Sequence, residues 1–177
     1  MKEIYPDSIE ELPHNIPEPL GESVQINTFV VADHAGDNLT RRSQTGILIF
    51  CNMTLISWSF KKQNTVETST FGSEIVALGN ATELIISLRY KLRSFEVPID
   101  GDANMFCDCD AVVKTTSCVD AALKMKHCIV AYHRIRESVS AGIIIILYES
   151  TSTNFADLLT KSLNCVKRRE LLSGIVV

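Results

Sequence analysis

Four acidic residues stand where a protein could put them to chemical use. Asp33 and Asp108 each close an apolar stretch that reads as a strand, while Glu74 and Asp157 fall in the first turns of helical patterns. Each alone has a bland explanation, because helix N-termini favour carboxylates by up to about 1 kcal/mol. Gathered at one sheet edge, four acids would repel one another, and the usual compensation is a hard cation such as Mg²⁺, which takes oxygen ligands. Two such ions held close together are the machinery that hydrolyses phosphodiesters. Spacing makes the convergence possible without requiring it.

Other chemistries are less well supplied. Six cysteines stand at 51, 107, 109, 118, 128 and 165, and none forms a C-x2-C pair. Cys107, Asp108, Cys109, Cys118, His127 and Cys128 could be combined into a site on paper, but small buried reduced thiols are the expected reading. Ser43, Ser69 and Ser73 have no His–Asp arrangement beside them to make a nucleophile. His127 and His133, six apart on one expected helix, fall on different faces and read as a packing histidine and a surface one. Trp58 reads as core.

The elements that would position the acids follow from periodicity. Val24 to Asp33, Gly46 to Cys51 and Leu55 to Ser59 are rich in β-branched and aromatic residues, with Asn52-Met53 a tight connection, and read as an antiparallel meander. Thr68-Ser69-Thr70 supplies helix N-cap candidates. Phe71, Ile75, Leu78, Thr82, Ile85 and Arg89 then follow at helical spacing, predicting a helix to about Leu92. Ala103 to Cys107 is a short buried strand, followed by helices near Ala111 to Thr116 and from about Leu123 to Ala141. Ile143 to Tyr148 is the last strand, and helices at Asn154 to Lys161 and Lys167 to Ser173 close the chain. The order predicts a mixed sheet with helices packed on it.

Composition sets outer bounds. Of the 177 residues, 46% are hydrophobic and 21% charged, which excludes disorder throughout. The longest aliphatic run, Ile143 to Tyr148, is far short of the roughly 20 residues that span a bilayer. A soluble, intracellular protein with no membrane partner is expected, with nothing to choose between cytoplasm and nucleus. Residues 1–22 hold Glu3, Asp7, Glu10, Glu11, Glu18 and Glu22 among four prolines, and read as an extended acidic leader before a domain at 23–177. The net charge of −4 argues against a nucleic-acid partner. Its distribution softens that objection, because positive charge gathers at Arg41-Arg42, Lys61-Lys62, Arg89-Lys91-Arg93, Lys124-Lys126, Arg134-Arg136 and Lys167-Arg168-Arg169.

Six sequence blocks carry a resemblance. V-A-D-H-A-G-D at 31–37 and T-R-R-S-x-T-G at 40–46 open the series, and I-S-W-S-F-K-K-Q-N-T-V-E-T-S-T-F-G-S-E at 56–74 continues it. F-C-D at 106–108, K-H-x(4)-Y-H-R-I-R-E at 126–137 and A-D-L-L-T-K at 156–161 complete it. In this order, over nearly all of 24–173, the chain resembles the ribonuclease H domain of copia-type retrotransposon polyproteins. The resemblance implies a ribonuclease H-like α/β fold: a five-stranded mixed sheet, three antiparallel strands then parallel additions, flanked by helices. It also implies that Glu74, Asp108 and Asp157 are catalytic ligands of two Mg²⁺ (or Mn²⁺) ions that cut the RNA strand of an RNA–DNA hybrid. Arg41, Arg42, Lys61, Lys62, Gln63 and Lys126 become candidates for contacting the nucleic acid. A reverse transcriptase domain encoded elsewhere in the parent element becomes a candidate partner. A complete element would also encode a capsid protein, protease, integrase and polymerase, so the chain is expected to be a fragment, a decayed copy or a gene cut from one.

The main departure is at the first carboxylate. The family's D-A-D pattern puts an aspartate two places before Asp33, where this chain has Val31. Asp33 shares a strand face with position 31 but lies about 6.5 Å further along. Metal–oxygen bonds tolerate only a few tenths of an ångström, so Asp33 is a possible substitute ligand only if the strand end shifts. Cleavage is therefore expected to be weak or lost, and a catalytically inactive nucleic-acid-binding module or a transposon relic is the alternative. Cys109-Asp110, where the family usually has amides, is a second departure.

Overall fold

In the computed structural model, which describes residues 1–121, 123 and 125–175, five strands form one sheet in the order β3-β2-β1-β4-β5. Strand β1 (Ile26–Asp33) runs antiparallel to β2 (Gln44–Cys51), which pairs antiparallel with β3 (Thr54–Lys62). On its other side β1 runs parallel to β4 (Ala103–Cys107), and β4 runs parallel to β5 (Ile144–Tyr148). This is the ribonuclease H-like mixed sheet that the blocks implied. Parallel neighbours need helical crossovers, and α1 (Thr70–Ser94) supplies the one between the meander and β4.

Period-two alternation divides the core between the two sheet faces. Ile26, Val30 and Ala32 of β1 join Ile47, Ile49, Met105, Cys107, Ile144 and Ile146 under the helical layer, where α1 covers β1 and β2 and the two helices after β4 cover β4 and β5. The opposite face is held by Phe29, which stacks on Phe106 at 4.8 Å between ring centroids and meets Phe155 edge-on at 4.7 Å.

Helix α1 starts where expected, with Ser69 Oγ accepting the Gly72 N–H at 3.1 Å. Its length and composition would suffice to cross a bilayer, yet 56% of that apolar window is buried inside the fold. The helix is apolar on more than one side because it lies between the sheet and α3 (Ile129–Ser140). There Gly79 lets Ala131 approach so closely that a Cβ would stand only 3.0 Å from the Ala131 Cβ.

The other helices differ from the expected boundaries for local reasons. The short α2 (Asp110–Ser117) follows β4 directly. The helix expected over 123–141 begins only with a 3-10 turn at Lys126–Cys128, then continues as α3. Side chains of α3 fasten the preceding loop back over it. Tyr132 Oη donates to the Ala121 carbonyl at 2.6 Å, and Arg136 donates to the Ala121 and Val119 carbonyls at 2.7 and 2.8 Å. Lys124, counted among the basic residues above, lies outside the described residues. The closing helices are α4 (Asp157–Thr160) and α5 (Cys165–Ser173), because Asn154 spends its side chain outside the helix.

Within residues 1–22 the described backbone has no helix or strand, and it is fastened to the domain. The Glu10 carboxylate accepts from Arg89 at 2.7 and 3.0 Å and from Arg93 at 2.6 Å. Ser140 Oγ donates to the Tyr5 carbonyl at 3.1 Å, and the Leu20 N–H to the Glu96 carbonyl at 2.8 Å.

Candidate active site

Because β1 and β4 are parallel neighbours, their C-terminal ends open on the same sheet edge. The last registered pair is Val30 with Cys107, so one residue further on Val31 and Asp108 lie side by side. Glu74 reaches this edge from above, in the second turn of α1. Asp157 arrives from the opposite face at the start of α4.

Each approach has a local cause. Glu74 is 2% exposed, and its Oε1 accepts the Ala32 N–H at 3.0 Å, which anchors the carboxylate to the end of β1. Helix α4 rests directly on Gly46, the partner of Val31 across the ladder. A Cβ at Gly46 would come within 2.8 Å of Thr160 Cγ2 and 3.1 Å of the Ala156 carbonyl. Asn154 then sets the start of α4: its Nδ2 donates to the Val30 carbonyl at 3.1 Å while its Oδ1 accepts the Ala156 N–H at 3.0 Å. Nothing in the sequence pattern singled out Asn154; its place in the first turn of an expected helix concealed it.

Glu74 and Asp108 thus face each other's charge with Asp157 nearby, and among the described residues Lys161 is the ammonium paired with both aspartates. Its ammonium lies 2.7 Å from Asp157 Oδ1 and 3.6 Å from Asp108 Oδ2. Thr151 Oγ1 also donates to Asp108 Oδ2, at 3.1 Å. One ammonium does not balance three acids. Burial, then the Asp108 charge, push the Glu74 carboxyl up to about 8, against the Ala32 N–H and Lys161, which pull it down. Burial likewise raises Asp157, with Lys161 opposing. The Cys107 thiol belongs to the same cluster, 4.0 Å from Glu74 Oε2, and burial with Glu74 beside it holds its pKa far above the ordinary thiol range.

The other two positions at the edge behave differently. Val31 is 1% exposed and lies on the face against which α4 packs, so an apolar side chain fills the place next to Asp108. The Asp33 carboxylate turns over its own loop instead. A Cβ on Gly36 would stand 2.1 Å from Asp33 Oδ2, so the turn closes only over a glycine. Glu74 and Asp108 each bring a carboxylate oxygen within 4.8 Å of the other and of the Cys107 thiol, while Asp157 joins them through Lys161. A pair of divalent ions would want the carboxylate that Val31 lacks.

Most of the candidate phosphate contacts lie at the same end of the sheet, since Gln44 pairs with Lys62 in the register and Asp33 with Gln44. Arg41, Arg42, Lys61 and Lys62 are exposed there, and Lys126 is exposed in the turn before α3. The Lys62 ammonium is paired with Asp37, and hydrogen bonds from Lys62 and Thr40 hold the Asp37 carboxyl far below its ordinary range. Gln63 is in the interior, with Nε2 donating to Thr45 Oγ1 at 3.0 Å and to the Ser73 carbonyl at 2.9 Å. Its amide therefore ties β2 to the start of α1 rather than facing a phosphate.

Two further expectations change. Trp58, read as core, is 68% exposed because β3 is an edge strand, and it lines an apolar cleft with Leu48, Leu159, Lys161 and Arg168. Neither histidine is buried: His133 Nδ1 lies 2.5 Å from the Tyr5 hydroxyl, and His127 pairs with Glu67.

No family model matches the chain. Among curated proteins it is 29% identical over 155 residues to the retrovirus-related Pol polyprotein from transposon RE2 of Arabidopsis thaliana, across 86% of this chain. It is 31% identical over 141 residues to the corresponding polyprotein from transposon TNT 1-94 of Nicotiana tabacum, across 80% of this chain. The chain spans about 10% of the length of each of these relatives. Among solved structures, the N-terminal RNase H domain of Rv2228c from Mycobacterium tuberculosis superposes with a TM-score of 0.59 at 13% identity. That match covers 85% of this chain and 98% of the other. LC11-RNase H1, solved in complex with an RNA/DNA hybrid, gives a TM-score of 0.55 at 17% identity, over 77% of this chain and 93% of the other.

Proposed function

We propose that the chain, whose ribonuclease H-like fold goes with similarity to part of retrotransposon Pol polyproteins, is built to engage RNA–DNA hybrids at the acid-lined sheet edge, with cleavage impaired by Val31. The observation that carries this reading is the meeting of Glu74, Asp108 and Asp157 from three separate elements beside a position filled by valine. Glu74, Asp108 and Asp157 would hold Mg²⁺ or Mn²⁺, which when bound supplies water activation and charge stabilisation for phosphodiester hydrolysis.

The chain's own groups prepare that edge. The Ala32 N–H orients the Glu74 carboxylate, Asn154 seats the helix that carries Asp157, and Lys161 offsets part of the acidic charge. Arg41, Arg42 and Lys61 would meet hybrid phosphates from the same end of the sheet, and Lys126 from the turn before α3. Asp33, turned into its own loop, would serve as a ligand only after the turn at Gly36 rearranged. Support for a hybrid as substrate comes from the shared fold with LC11-RNase H1, and a reverse transcriptase region of a parent polyprotein is the proposed partner.

A second reading, a binding module without cleavage, is favoured by Lys161, whose ammonium already serves as a cation for Asp108 and Asp157. The deciding experiment is cleavage of a labelled RNA–DNA hybrid by the wild type and by Val31→Asp, each in Mg²⁺ and in Mn²⁺. Restored cutting in Val31→Asp is expected, with the wild type at least about a hundredfold slower. Hybrid binding with silence from both proteins would favour the module; loss of binding at low salt would remove both readings.

A further inference from the structure

A second cluster of ligand-type side chains lies outside the acidic edge, at the start of α1. Glu67, in the segment that leads into the helix, has a side chain only 2% exposed. Its Oε2 lies 2.8 Å from His127 Nε2 and accepts from the Cys128 thiol at 3.3 Å, while its Oε1 accepts the Thr65 hydroxyl at 2.7 Å. One ligand atom from each of Glu67, His127 and Cys128 falls within 4.8 Å of the other two. The three residues come from segments about sixty positions apart, so the chain has closed a long loop to bring them together.

We propose that Glu67, His127 and Cys128 form a site for one borderline divalent cation, with Zn²⁺ the occupant that the carboxylate, imidazole and thiol donors fit. Mixed oxygen, nitrogen and sulfur donors in fours are the preference of Zn²⁺, whereas the carboxylates that dominate the acidic edge suit harder ions. Tetrahedral zinc, with bonds of roughly 2.0 to 2.3 Å, sets its ligand atoms about 3.3 to 3.8 Å apart. The Glu67–His127 pair needs to open by only about half an ångström to reach that, Cys128 already stands 3.3 Å from the carboxylate, and half-exposed His127 is the arm that can swing. On coordination Cys128 gives its thiol proton to solvent, and water completes the fourth position.

Two neighbouring features fit an ion site. Thr65 orients the carboxylate from the far side, as outer hydrogen bonds do for metal ligands. Gly72 keeps the wall of the cluster clear: a Cβ there would stand 2.8 Å from Glu67 Oε2 and 3.5 Å from Cys128 Sγ. An ion at this place would staple the entrance of α1 to the turn before α3. Glu74 lies one helical repeat further along, so the staple would also steady the acidic edge.

The test uses the whole 177-residue chain, stripped with a chelator and titrated with Co²⁺ as a spectroscopic probe, then with Zn²⁺. One equivalent of tetrahedral Co²⁺ with a sulfur-to-cobalt charge-transfer band is expected, displaced by Zn²⁺. Cys128→Ser should lose the band, and His127→Gln should weaken binding at least about tenfold. Cys107→Ser, which touches the other thiol-containing cluster, should keep both. If Cys128→Ser fails to fold, His127→Gln still decides, because that ring is half-exposed. A wild type without the band, a band that survives both Cys128→Ser and His127→Gln, or one that disappears with Cys107→Ser instead would overturn the proposal. Glu67 and His127 would then be an ion pair and nothing more.

Discussion

Helix α1 has a glutamate carboxylate against it at each end, and the two have opposite surroundings. At the N-terminal end, Glu74 is buried beside Asp108 and Asp157 with Lys161 as counter-charge, and its carboxyl is pushed up to about 8. Toward the C-terminal end, Glu10 folds back from the leader. Burial raises its pKa too, but the hydrogen bonds from Arg89 and Arg93 more than reverse that and leave it lowered. The residue type is the same and both carboxylates lose water; the neighbours decide the outcome. A buried carboxylate matched by guanidinium groups is a fastening. One left short of positive charge keeps the rise that burial and its acidic neighbours give it.

The largest test of this contrast is catalytic. In the Val31→Asp background, Glu74→Gln should reduce hybrid cleavage by at least about a hundredfold, because the displaced phosphate geometry alone has that effect. Glu10→Gln in the same background should leave cleavage per folded molecule unchanged, measured with the same labelled hybrid. Equal losses from the two variants would mean that the ends of α1 are not functionally separate. Stability should rank them the other way. Urea unfolding of Glu10→Gln should show a loss of about 2 kcal/mol, since the buried Arg89 guanidinium gives up its charged acceptor and keeps only the Gly101 carbonyl. Glu74→Gln, tested without divalent ions, should be no less stable than the wild type at neutral pH.

How much of this was legible follows the same division between local and long-range causes. The strands and α1 were readable, because alternation of Val, Ile and Phe and the Ser69 cap are local signals. The acids were readable as single positions, and only the resemblance implied that they share one edge. Trp58 was misread because periodicity does not distinguish an edge strand from a central one, and β3 has a neighbour on one side only. Gln63 looked like a surface amide beside two lysines, yet its partners Thr45 and Ser73 arrive from other elements. Glu67 drew no notice at all. Its partners His127 and Cys128 meet it only after the sheet and α1 have formed, and no spacing rule spans that distance.

Lys161 sharpens the comparison from inside the acidic edge. As the ammonium beside both Asp108 and Asp157, it competes with any divalent ion for the same oxygens. Lys161→Met should therefore raise Mn²⁺ affinity about tenfold, or roughly 1.4 kcal/mol, measured by calorimetry or by the free-Mn²⁺ EPR signal. A fall in affinity would mean that the lysine holds the acids in place for the ion rather than displacing it.

The measurement that reads both ends at once is the pH dependence of stability without divalent ions. Glu74 has a folded pKa of about 8, above its ordinary value of 4.5, so between those limits the folded state binds more protons than the unfolded chain. Its contribution is present below pH 4.5 and is lost as pH rises toward 8, and Asp157, also raised, adds in the same direction. Glu10 has the opposite sign. Its folded pKa is lowered, so its contribution is full above pH 4.5 and is lost as pH falls through the folded value. Together they put a stability maximum near pH 4.5 to 5, with at most about 1.4 kcal/mol per pH unit for each proton taken up. Glu74→Gln should flatten the alkaline limb and spare the acid one, and Glu10→Gln should do the reverse. Saturating Mg²⁺ should act on the alkaline limb alone, because a dication held by ionised Glu74 removes the advantage of protonating it. An alkaline limb that ignored both Glu74→Gln and Mg²⁺ would show that the charge deficit at the sheet edge is not what separates it from the clamp on the leader.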